Sequence, residues 1–128
     1  MKDTATFRID ALPVSENRAI GRSSRGGYKT KFYKEWEEIV MLTQKEQKID
    51  CSEFYGVEMI YYLPLYYKNG NVRKVDGPNF DKYNIDMVIR KLIDRNGEAI
   101  DDCRILEWSG CKVDSEEKYT EITFYCIK

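Results

Sequence analysis

The sequence contains no histidine, and its four cysteines form no CxxC pair. Without histidine there is no Ser-His or Cys-His nucleophile, no HExxH zinc protease and no imidazole general base. The cysteines are too widely separated for a zinc knuckle or a thioredoxin-type motif, so we expect buried, reduced thiols at Cys51, Cys103, Cys111 and Cys126. Any chemistry must therefore depend on carboxylates, lysines, tyrosines or a bound metal ion.

Long apolar runs are absent too. No segment approaches the roughly 20 apolar residues that a membrane helix needs, and the N-terminal MKDTATFRID lacks the apolar stretch of a signal peptide. We therefore expect an intracellular protein. The chain has 128 residues, of which 42% are hydrophobic and 34% charged, values typical of a globular protein. This predicts a single domain over residues 1–128.

The net charge of -1 hides an uneven distribution of charge. The segment RAIGRSSRGGYKTKFYK, residues 18–34, has no acid, and neither has LYYKNGNVRKV, residues 65–75. These basic segments could contact a polyanion such as DNA, or they could simply be solvated loops. The residues predicted to bind phosphates are Arg18, Arg22, Arg25, Lys29, Lys31, Arg73 and Lys74.

Hydrophobic periodicity predicts the order strand, helix, strand, helix, strand, strand. The first strand is TATFRIDAL, which ends before Pro13, and a Gly- and Ser-rich loop is expected up to about residue 30. A helix in residues 32–48 should bury Phe32, Trp36, Ile39, Val40 and Thr43. A second strand covers Gly56 to Leu63, with a turn at KNGN. The expected fold is a small α+β domain, a mixed sheet with two main helices packed on one face.

The second helix is predicted by the apolar stripe Ile85, Val88, Ile89, Leu92 and Ile93, and should end near Asn96-Gly97. It begins after Gly77-Pro78, with Asn79 or Asp81 as N-cap. Two final strands, 104–113 and 118–127, are expected to form a hairpin through the turn DSEE.

Acidic residues flank the second helix on both sides. Asp76, Asp81 and Asp86 lie near its start, and Asp101-Asp102 follow it. Carboxylates that converge at one edge of the sheet would repel one another unless a divalent cation bound there, and oxygen ligands alone favour Mg²⁺ or Mn²⁺. Aspartates at helix ends are also common as caps and dipole partners, and Asp86 is interpreted as a solvated helical residue. The EF-hand reading of DRNGEAIDD fails, because Gly97 is fourth rather than sixth and the closing glutamate is missing.

Two segments resemble the RusA family of Holliday junction resolvases, which are phage- and prophage-associated endonucleases of about this size. The strand ending in LPVSENR is similar to that family's strand, Pro-x-Ser-x-Asn-Arg turn and basic loop. The segment NFDKYNIDMVIRKLIDRNGEAIDDCRILEW is similar to its Asp-x-Asp-Asn, helix, Asp-Asp pair and apolar strand. The resemblance covers nearly the whole chain and implies a bacterial cytoplasmic protein of phage or prophage origin.

The resemblance implies a metal-dependent endonuclease that resolves branched DNA as a homodimer, with Mg²⁺ or Mn²⁺ as cofactor. Asp81 matches the second aspartate of Asp-x-Asp, and Asp101-Asp102 match the later pair, while the first aspartate falls on Asn79. The family's lysine falls on Ile85, so that Lys82 or Lys91 would have to replace it. The implied metal ligands are Asp81, Asp102, Asp101, Asp76 and Asn79, and the implied catalytic residues are Asp81, Asp102, Asp101 and Lys82.

Two functions of different class remain open at this point. One is the Mg²⁺-dependent, structure-selective nuclease, whose metal would activate water and whose basic loops would hold phosphates. The other is a RusA-like domain that has lost efficient catalysis and binds DNA or protein. The asparagine at position 79 and the isoleucine at position 85 motivate the second hypothesis.

Overall fold

The computed structural model describes residues 4–13, 20–23, 26–43, 45–51, 54–73, 85, 88–89 and 91–127. The strands are β1 (Thr4–Ile9), β2 (Ile20–Ser23), β3 (Gly26–Lys29), β4 (Gln47–Lys48), β5 (Phe54–Leu63), β6 (Leu92–Ile93), β7 (Ile105–Asp114) and β8 (Tyr119–Ile127). Helix α1 covers Lys31–Thr43, and a 3₁₀ helix covers Asp102–Arg104. No helix in these ranges is long and apolar enough to cross a membrane.

The main sheet has four strands in the order β1-β8-β5-β7. Strand β8 is antiparallel to both β1 and β5, whereas β7 is parallel to β5. The sheet is therefore mixed, as predicted, within an α+β fold.

The predicted hairpin between the last two strands is wrong. Strands β7 and β8 have the expected positions in the chain but lie on opposite sides of β5. The Ser115 N–H donates to the Leu63 carbonyl at 3.0 Å, and the Leu65 N–H donates to Asp114 Oδ1 at 3.0 Å, so β7 ends beside the end of β5. Residues 115–118 then cross that end to enter β8. The most apolar strand, β5, thereby obtains a neighbour on each side.

One face of the sheet carries the core. Strand β1 buries Ala5, Phe7 and Ile9 in alternation, as the period-2 pattern predicted. Phe7 meets Phe124 of β8 edge to face, with ring centroids 6.2 Å apart. The other buried residues on this face are Tyr55, Val57, Met59, Tyr61, Leu63 and Ile122.

Helix α1 lies against β1 and covers part of this core. Its buried residues are Tyr33, Trp36 and Val40, and Ile39 is half-buried. The predicted stripe was right for Trp36, Ile39 and Val40 but wrong for Phe32 and Thr43, which are exposed. The helix also ends at Thr43, before the predicted end, because residues 47–48 enter a short parallel pairing with β6.

The second predicted helix is shorter than its apolar stripe. Ile85, Val88 and Ile89 are helical, but Leu92 and Ile93 form β6. The Gln47 N–H donates to the Lys91 carbonyl at 2.7 Å, and the Ile49 N–H donates to the Ile93 carbonyl at 3.0 Å. Leu92 is buried in β6, and an apolar residue that is buried fits a helix or a strand equally well, so the apolar stripe did not distinguish the two.

Two predicted connections had different outcomes. The KNGN turn is confirmed, with Gly70 at a φ of 89° and its N–H donating to the Tyr67 carbonyl at 2.9 Å. The loop expected up to residue 30 instead contains the antiparallel pair β2 and β3, with Ile20 opposite Lys29. Glycines at positions 21, 26 and 27 had favoured a loop, but they also permit a tight two-stranded ribbon.

The four cysteines form no disulfide, and the expectation of burial is only partly confirmed. Cys51 is buried and Cys126 is half-buried. Cys103 and Cys111 are exposed, because one belongs to the 3₁₀ helix and the other to the edge strand β7.

Candidate active site before β7

Asp101 and Asp102 lie where the chain leaves the buried Ile100 and enters β7. Asp101 is the N-cap of the 3₁₀ helix, and its Oδ1 accepts a hydrogen bond from the Cys103 N–H at 3.3 Å. The Arg104 N–H donates to the Asp101 carbonyl at 3.1 Å. Both carboxylates are exposed, so they stand together at the start of an edge strand and are accessible from solvent.

The local hydrogen bonds favour the charged form of Asp101. The Cys103 backbone N–H lowers the pKa of the Asp101 carboxyl most, and hydrogen bonding with the Asp102 side chain lowers it further. The pKa of the Cys103 thiol is raised, first by partial desolvation and then by the charge of Asp101. At neutral pH the site therefore offers carboxylate oxygens and a protonated thiol, a donor set that suits a hard cation.

A tight turn at Asp94 positions this carboxylate pair. Asp94 is buried, and its Oδ1 accepts from the N–H groups of Asn96 at 2.8 Å and Glu98 at 3.0 Å. Gly97 has a φ of 83°, a conformation that favours glycine. Behind the turn, the Ile100 N–H donates to the Leu92 carbonyl at 3.3 Å. The residues before Asp101 are thus held by β6 on one side and by the Asp94 carboxylate on the other.

Arg104 connects this turn to the main sheet. Its Nη1 lies 3.8 Å from Asp94 Oδ2, and its guanidinium lies 5.0 Å from the centre of the Tyr55 ring. Arg95 extends the connection to the end of β4, with its Nη2 2.9 Å from Asp50 Oδ1. Two arginines therefore tie the segment that carries Asp101 and Asp102 to β4 and β5.

Asp94 and Arg104 were not among the residues predicted from the sequence. The signal for Asp94 was available, since an aspartate two residues before Asn-Gly commonly accepts the N–H groups of the turn that follows. The sequence pattern instead indicated a helix stop at Asn96-Gly97, and the comparison of DRNGEAIDD with a calcium loop failed. The signal for Arg104 was absent, because its partners Asp94 and Tyr55 lie on separate elements.

The other half of the predicted metal site lies outside the described residues. Asp76, Asn79, Asp81 and Lys82 are all there, so the distance from Asp81 to Asp102 stays a prediction. Among the residues that the structure describes, no three acidic or cysteine side chains are grouped as metal ligands. Asp101 and Asp102 would therefore need a third ligand from another segment.

The predicted phosphate-binding residues likewise lie partly within and partly outside the described residues. Arg18, Arg25 and Lys74 lie outside the described residues. The backbone positions of Arg22 and Lys29 lie on the β2–β3 ribbon, Arg22 opposite Gly27. Lys31 begins α1, where its Nζ lies 3.9 Å from Glu35 Oε1.

Arg73 takes part in local structure. Its Nε donates to the Tyr66 carbonyl at 3.3 Å, and its guanidinium lies 4.7 Å from the centre of the Tyr67 ring. Both tyrosines are exposed, which gives the KNGN turn an aromatic and cationic surface. A phosphate contact by Arg73 would extend these interactions.

No protein-family model matches the chain, and the search of curated proteins found no match. The likeness to RusA resolvases therefore depends on the segments LPVSENR and NFDKYNIDMVIRKLIDRNGEAIDDCRILEW.

Proposed function

We propose that this chain is a Mg²⁺- or Mn²⁺-dependent endonuclease of branched DNA, similar to RusA resolvases, that acts as a homodimer in the bacterial cytoplasm and is encoded by a phage or prophage. The observation that carries the proposal is the exposed Asp101-Asp102 pair, held by a capped 3₁₀ helix and the Asp94 turn. Preorganised carboxylates on a supported segment are what a metal-dependent phosphodiesterase requires.

The donor set fits a hard divalent cation. Asp101 and Asp102 supply oxygen ligands, and Asp81, with Asp76 or Asn79, would complete the set from the segment before the second helix. A Mg²⁺ ion held by these residues would polarise the scissile phosphate and lower the pKa of the attacking water. The lowered pKa of Asp101 keeps its carboxylate available, and Lys82 would neutralise developing negative charge.

The outer face of the sheet, which is the face opposite the core, carries negative charge. This charge argues against DNA binding on the outer face. Glu58, Glu107 and Glu121 project there from three adjacent strands, and Glu58 and Glu107 are exposed. Phosphates would be repelled by this face. The basic residues around the β2–β3 ribbon and Lys31 would contact the DNA backbone instead, without reading sequence.

The decisive experiment is cleavage of a synthetic four-way junction with Mg²⁺ or Mn²⁺, beside the same reaction in EDTA. Asp102→Asn should lower nicking by about a hundredfold or more, in line with the loss of one electrostatic group at an active site. Junction binding should be preserved, because the variant removes a negative charge near phosphate. Glu116→Gln is the matched control, an equal change of charge at an exposed turn residue. Wild-type protein that does not nick under either metal would contradict the nuclease.

The basic surface has its own test. Replacing Arg22, Arg25 and Lys29 by alanine should weaken junction binding and flatten its salt dependence, since each phosphate contact contributes a slope of about −0.9 in log K against log salt. Gel shifts over a salt series measure this, with Lys118→Ala as a control for a lysine outside the basic segments. An unchanged slope would place the DNA elsewhere.

A DNA- or protein-binding module is the second candidate, favoured by Asn79 and Ile85 at positions where the resembled family has aspartate and lysine. The variant Asn79→Asp separates the two. If the asparagine merely weakens the enzyme, nicking should rise by about an order of magnitude. Tight junction binding by an Asn79→Asp variant that still does not nick would support the binding module.

A further inference from the structure

Cys51 and Cys126 lie at the same end of the main sheet. Cys126 is opposite Tyr55 where β8 pairs with β5, and its Sγ donates to the Asp50 carbonyl at 3.3 Å. Asp50 directly precedes Cys51, whose own Sγ donates to the Phe54 carbonyl at 3.1 Å. Two thiols that are far apart in the sequence are therefore brought together at the start of β5.

The Asp50 carbonyl oxygen limits the distance between the two cysteines. In a trans peptide this oxygen lies roughly 2.8 Å from the next Cα, so Cys126 Sγ lies no more than about 6 Å from the Cys51 Cα. Burial is the main cause of the raised pKa of Tyr55, and the Cys51 and Cys126 thiols both raise it further. Both sulfurs therefore lie near one hydroxyl group, and rotation of the two cysteine side chains can bring them into bonding contact.

The two thiols differ in their access to solvent. Cys126 is half-buried, whereas Cys51 is only 5% exposed. An oxidant in solution therefore reaches Cys126 first. The two exposed cysteines lie elsewhere, since Cys103 is beside Asp101 and Cys111 is on the outer face of the sheet. Cys51 and Cys126 are thus the pair of thiols that the fold brings together.

We infer that Cys51 and Cys126 are a redox-sensitive pair that hydrogen peroxide converts to an intramolecular disulfide. The Cys126 thiolate attacks one peroxide oxygen, the O–O bond breaks, and the products are a sulfenic acid and, after proton transfer, water. The Cys51 thiolate then attacks the sulfenic sulfur, the S–O bond breaks, and the hydroxide leaves as a second water. The two sulfurs together lose two electrons to one peroxide, and the two thiol protons end in water.

The disulfide would join the β4–β6 pair covalently to the main sheet. Strand β4 pairs with β6, and Asp50, just after β4, lies 2.9 Å from Arg95. Cys51 is the next residue, so a bond from it to β8 attaches this unit to the four-stranded sheet. The oxidised chain should therefore be more stable than the reduced one, because the bridge closes a long loop and restricts the unfolded chain. This inference depends on the two thiols and not on nuclease activity.

Peptide mapping tests the pairing on the full chain carrying Cys103→Ser and Cys111→Ser, which remove the two exposed thiols. After treatment with a small excess of hydrogen peroxide, trypsin should release residues 49–68 linked to residues 119–128, the peptides that carry Cys51 and Cys126. Dithiothreitol should separate the two peptides. Cysteines that stay unlinked after this treatment, or a link found only between two copies of the chain, would overturn the proposal.

The order of the two steps has its own pair of variants in the same background. Cys51→Ala should leave Cys126 as a sulfenic acid that dimedone labels, because no second thiol is there to displace the hydroxide. Cys126→Ala should leave Cys51 largely unlabelled, because that thiol is buried. Equal labelling of the two variants, or stronger labelling of Cys51, would overturn the assignment of Cys126 as the thiol that reacts with peroxide.

Urea unfolding measures the effect of the bridge on the fold. The oxidised protein should unfold at a midpoint about 1 M or more above that of the same protein in dithiothreitol, given the usual stabilisation by a disulfide and the urea dependence of a small domain. Cys51→Ala, treated with peroxide in the same way, is the control and should show no such rise. A linked protein whose midpoint is unchanged or lower would overturn the inference that the bridge joins the β4–β6 pair to the sheet in its native position.

Discussion

Strands β5 and β7 are hydrogen-bonded neighbours of equal length, ten residues each, yet they are buried to opposite extents. Strand β5 buries Tyr55, Val57, Met59, Tyr61 and Leu63, whereas β7 is exposed from Leu106 onward. At one rung of the ladder, Val57 is fully buried and its partner Trp108 is 63% exposed. Place in the sheet therefore decides burial here more strongly than residue type does.

The cause is the number of neighbours. Strand β5 has β8 on one side and β7 on the other, and its core face lies among residues of β1, β8 and the helical segments. Strand β7 has β5 alone among the described strands. The central strand supplies stability, and the edge strand follows directly on the Asp101-Asp102 segment. Four predictions test this division.

The largest effect is expected from an aromatic residue buried beside β5, compared with an exposed one on β7. Phe124 of β8 is fully buried beside β5, and Phe124→Ala should lower the free energy of unfolding by about 3–5 kcal/mol through lost burial and a cavity. Trp108→Ala should change the monomer by only about 0.5 kcal/mol. Urea unfolding at a concentration that favours the monomer measures both. Comparable losses would mean that β7 is also part of the core.

Gly56 is expected to give the next largest effect. A Cβ at this position would fall on the ring of Tyr125, which crosses β5 to donate a hydrogen bond from its hydroxyl to Glu107 Oε1 at 2.6 Å. Tyr125 thereby joins β8 to β7 over the glycine. Gly56→Ala should cost about 1–3 kcal/mol of unfolding free energy, because the ring must move from a packed position.

The double variant Gly56→Ala with Tyr125→Ala isolates the steric part of this effect. Without the ring, the added methyl should cost little, so the two changes should be clearly non-additive in a double-mutant cycle. Additive losses of unfolding free energy would mean that position 56 requires glycine for its backbone conformation and not because the Tyr125 ring lies over it.

Asp94 tests whether the start of β7 depends on the turn before it. Asp94→Ala removes the acceptor of two backbone N–H groups and the partner of Arg104, and should cost about 1–3 kcal/mol of unfolding free energy. Asp94→Asn keeps a side-chain oxygen for the turn and should recover part of that stability. If the nuclease proposal holds, Asp94→Ala should also lower junction nicking through misplacement of Asp101 and Asp102. Equal stabilities of the alanine variant and the wild type would show that the turn forms without this carboxylate.

Local patterns predicted much of the fold. The alternation in TATFRI predicted β1, the β-branched and aromatic run predicted β5, and Asn-Gly predicted the turn at Gly70. The pairing of the strands was not predictable. Strand β8 lies between β1 and β5, and the turn DSEE has the same sequence whether the chain forms a hairpin there or crosses to another position in the sheet. The β4–β6 pair was missed for a related reason, since Leu92 is buried in a short strand where a helical stripe was expected.

The Asp101-Asp102 pair was predictable from the sequence, whereas the ion pair between Asp94 and Arg104 that supports it was not. Two adjacent aspartates before an apolar strand can be recognised in the sequence, and they are exposed together. Arg104 and Asp94 come together only because β6, the turn and β7 fold back on one another. Contacts of that kind depend on tertiary packing, so sequence periodicity carries no signal for them.

The smallest expected effect concerns Tyr55, whose hydroxyl is buried and has no hydrogen-bond partner among the described residues. Burial raises the pKa of Tyr55 above its ordinary value of 10.0, and the nearby Arg104 guanidinium opposes part of that rise. Well below pH 10 the tyrosine is neutral in both folded and unfolded chains, so stability there does not depend on its ionisation. As the pH rises above 10, the unfolded chain releases the proton while the folded chain retains it, so stability falls.

Tyr55→Phe removes both the unpaired hydroxyl and this titration. At pH 7 the variant should equal or exceed the wild type in unfolding free energy by up to about 1 kcal/mol, since no hydrogen bond is lost and a desolvation cost is relieved. From pH 9 to 11 its loss of stability should be smaller than that of the wild type. Tyr66→Phe is the matched control, because Tyr66 is exposed and its change should affect neither quantity. Urea midpoints for the three proteins over this pH range measure the difference. A Tyr55→Phe variant less stable by 1 kcal/mol or more at pH 7 would mean that the hydroxyl has a partner, and that even the buried side of the β5–β7 comparison contains a polar contact essential to the fold.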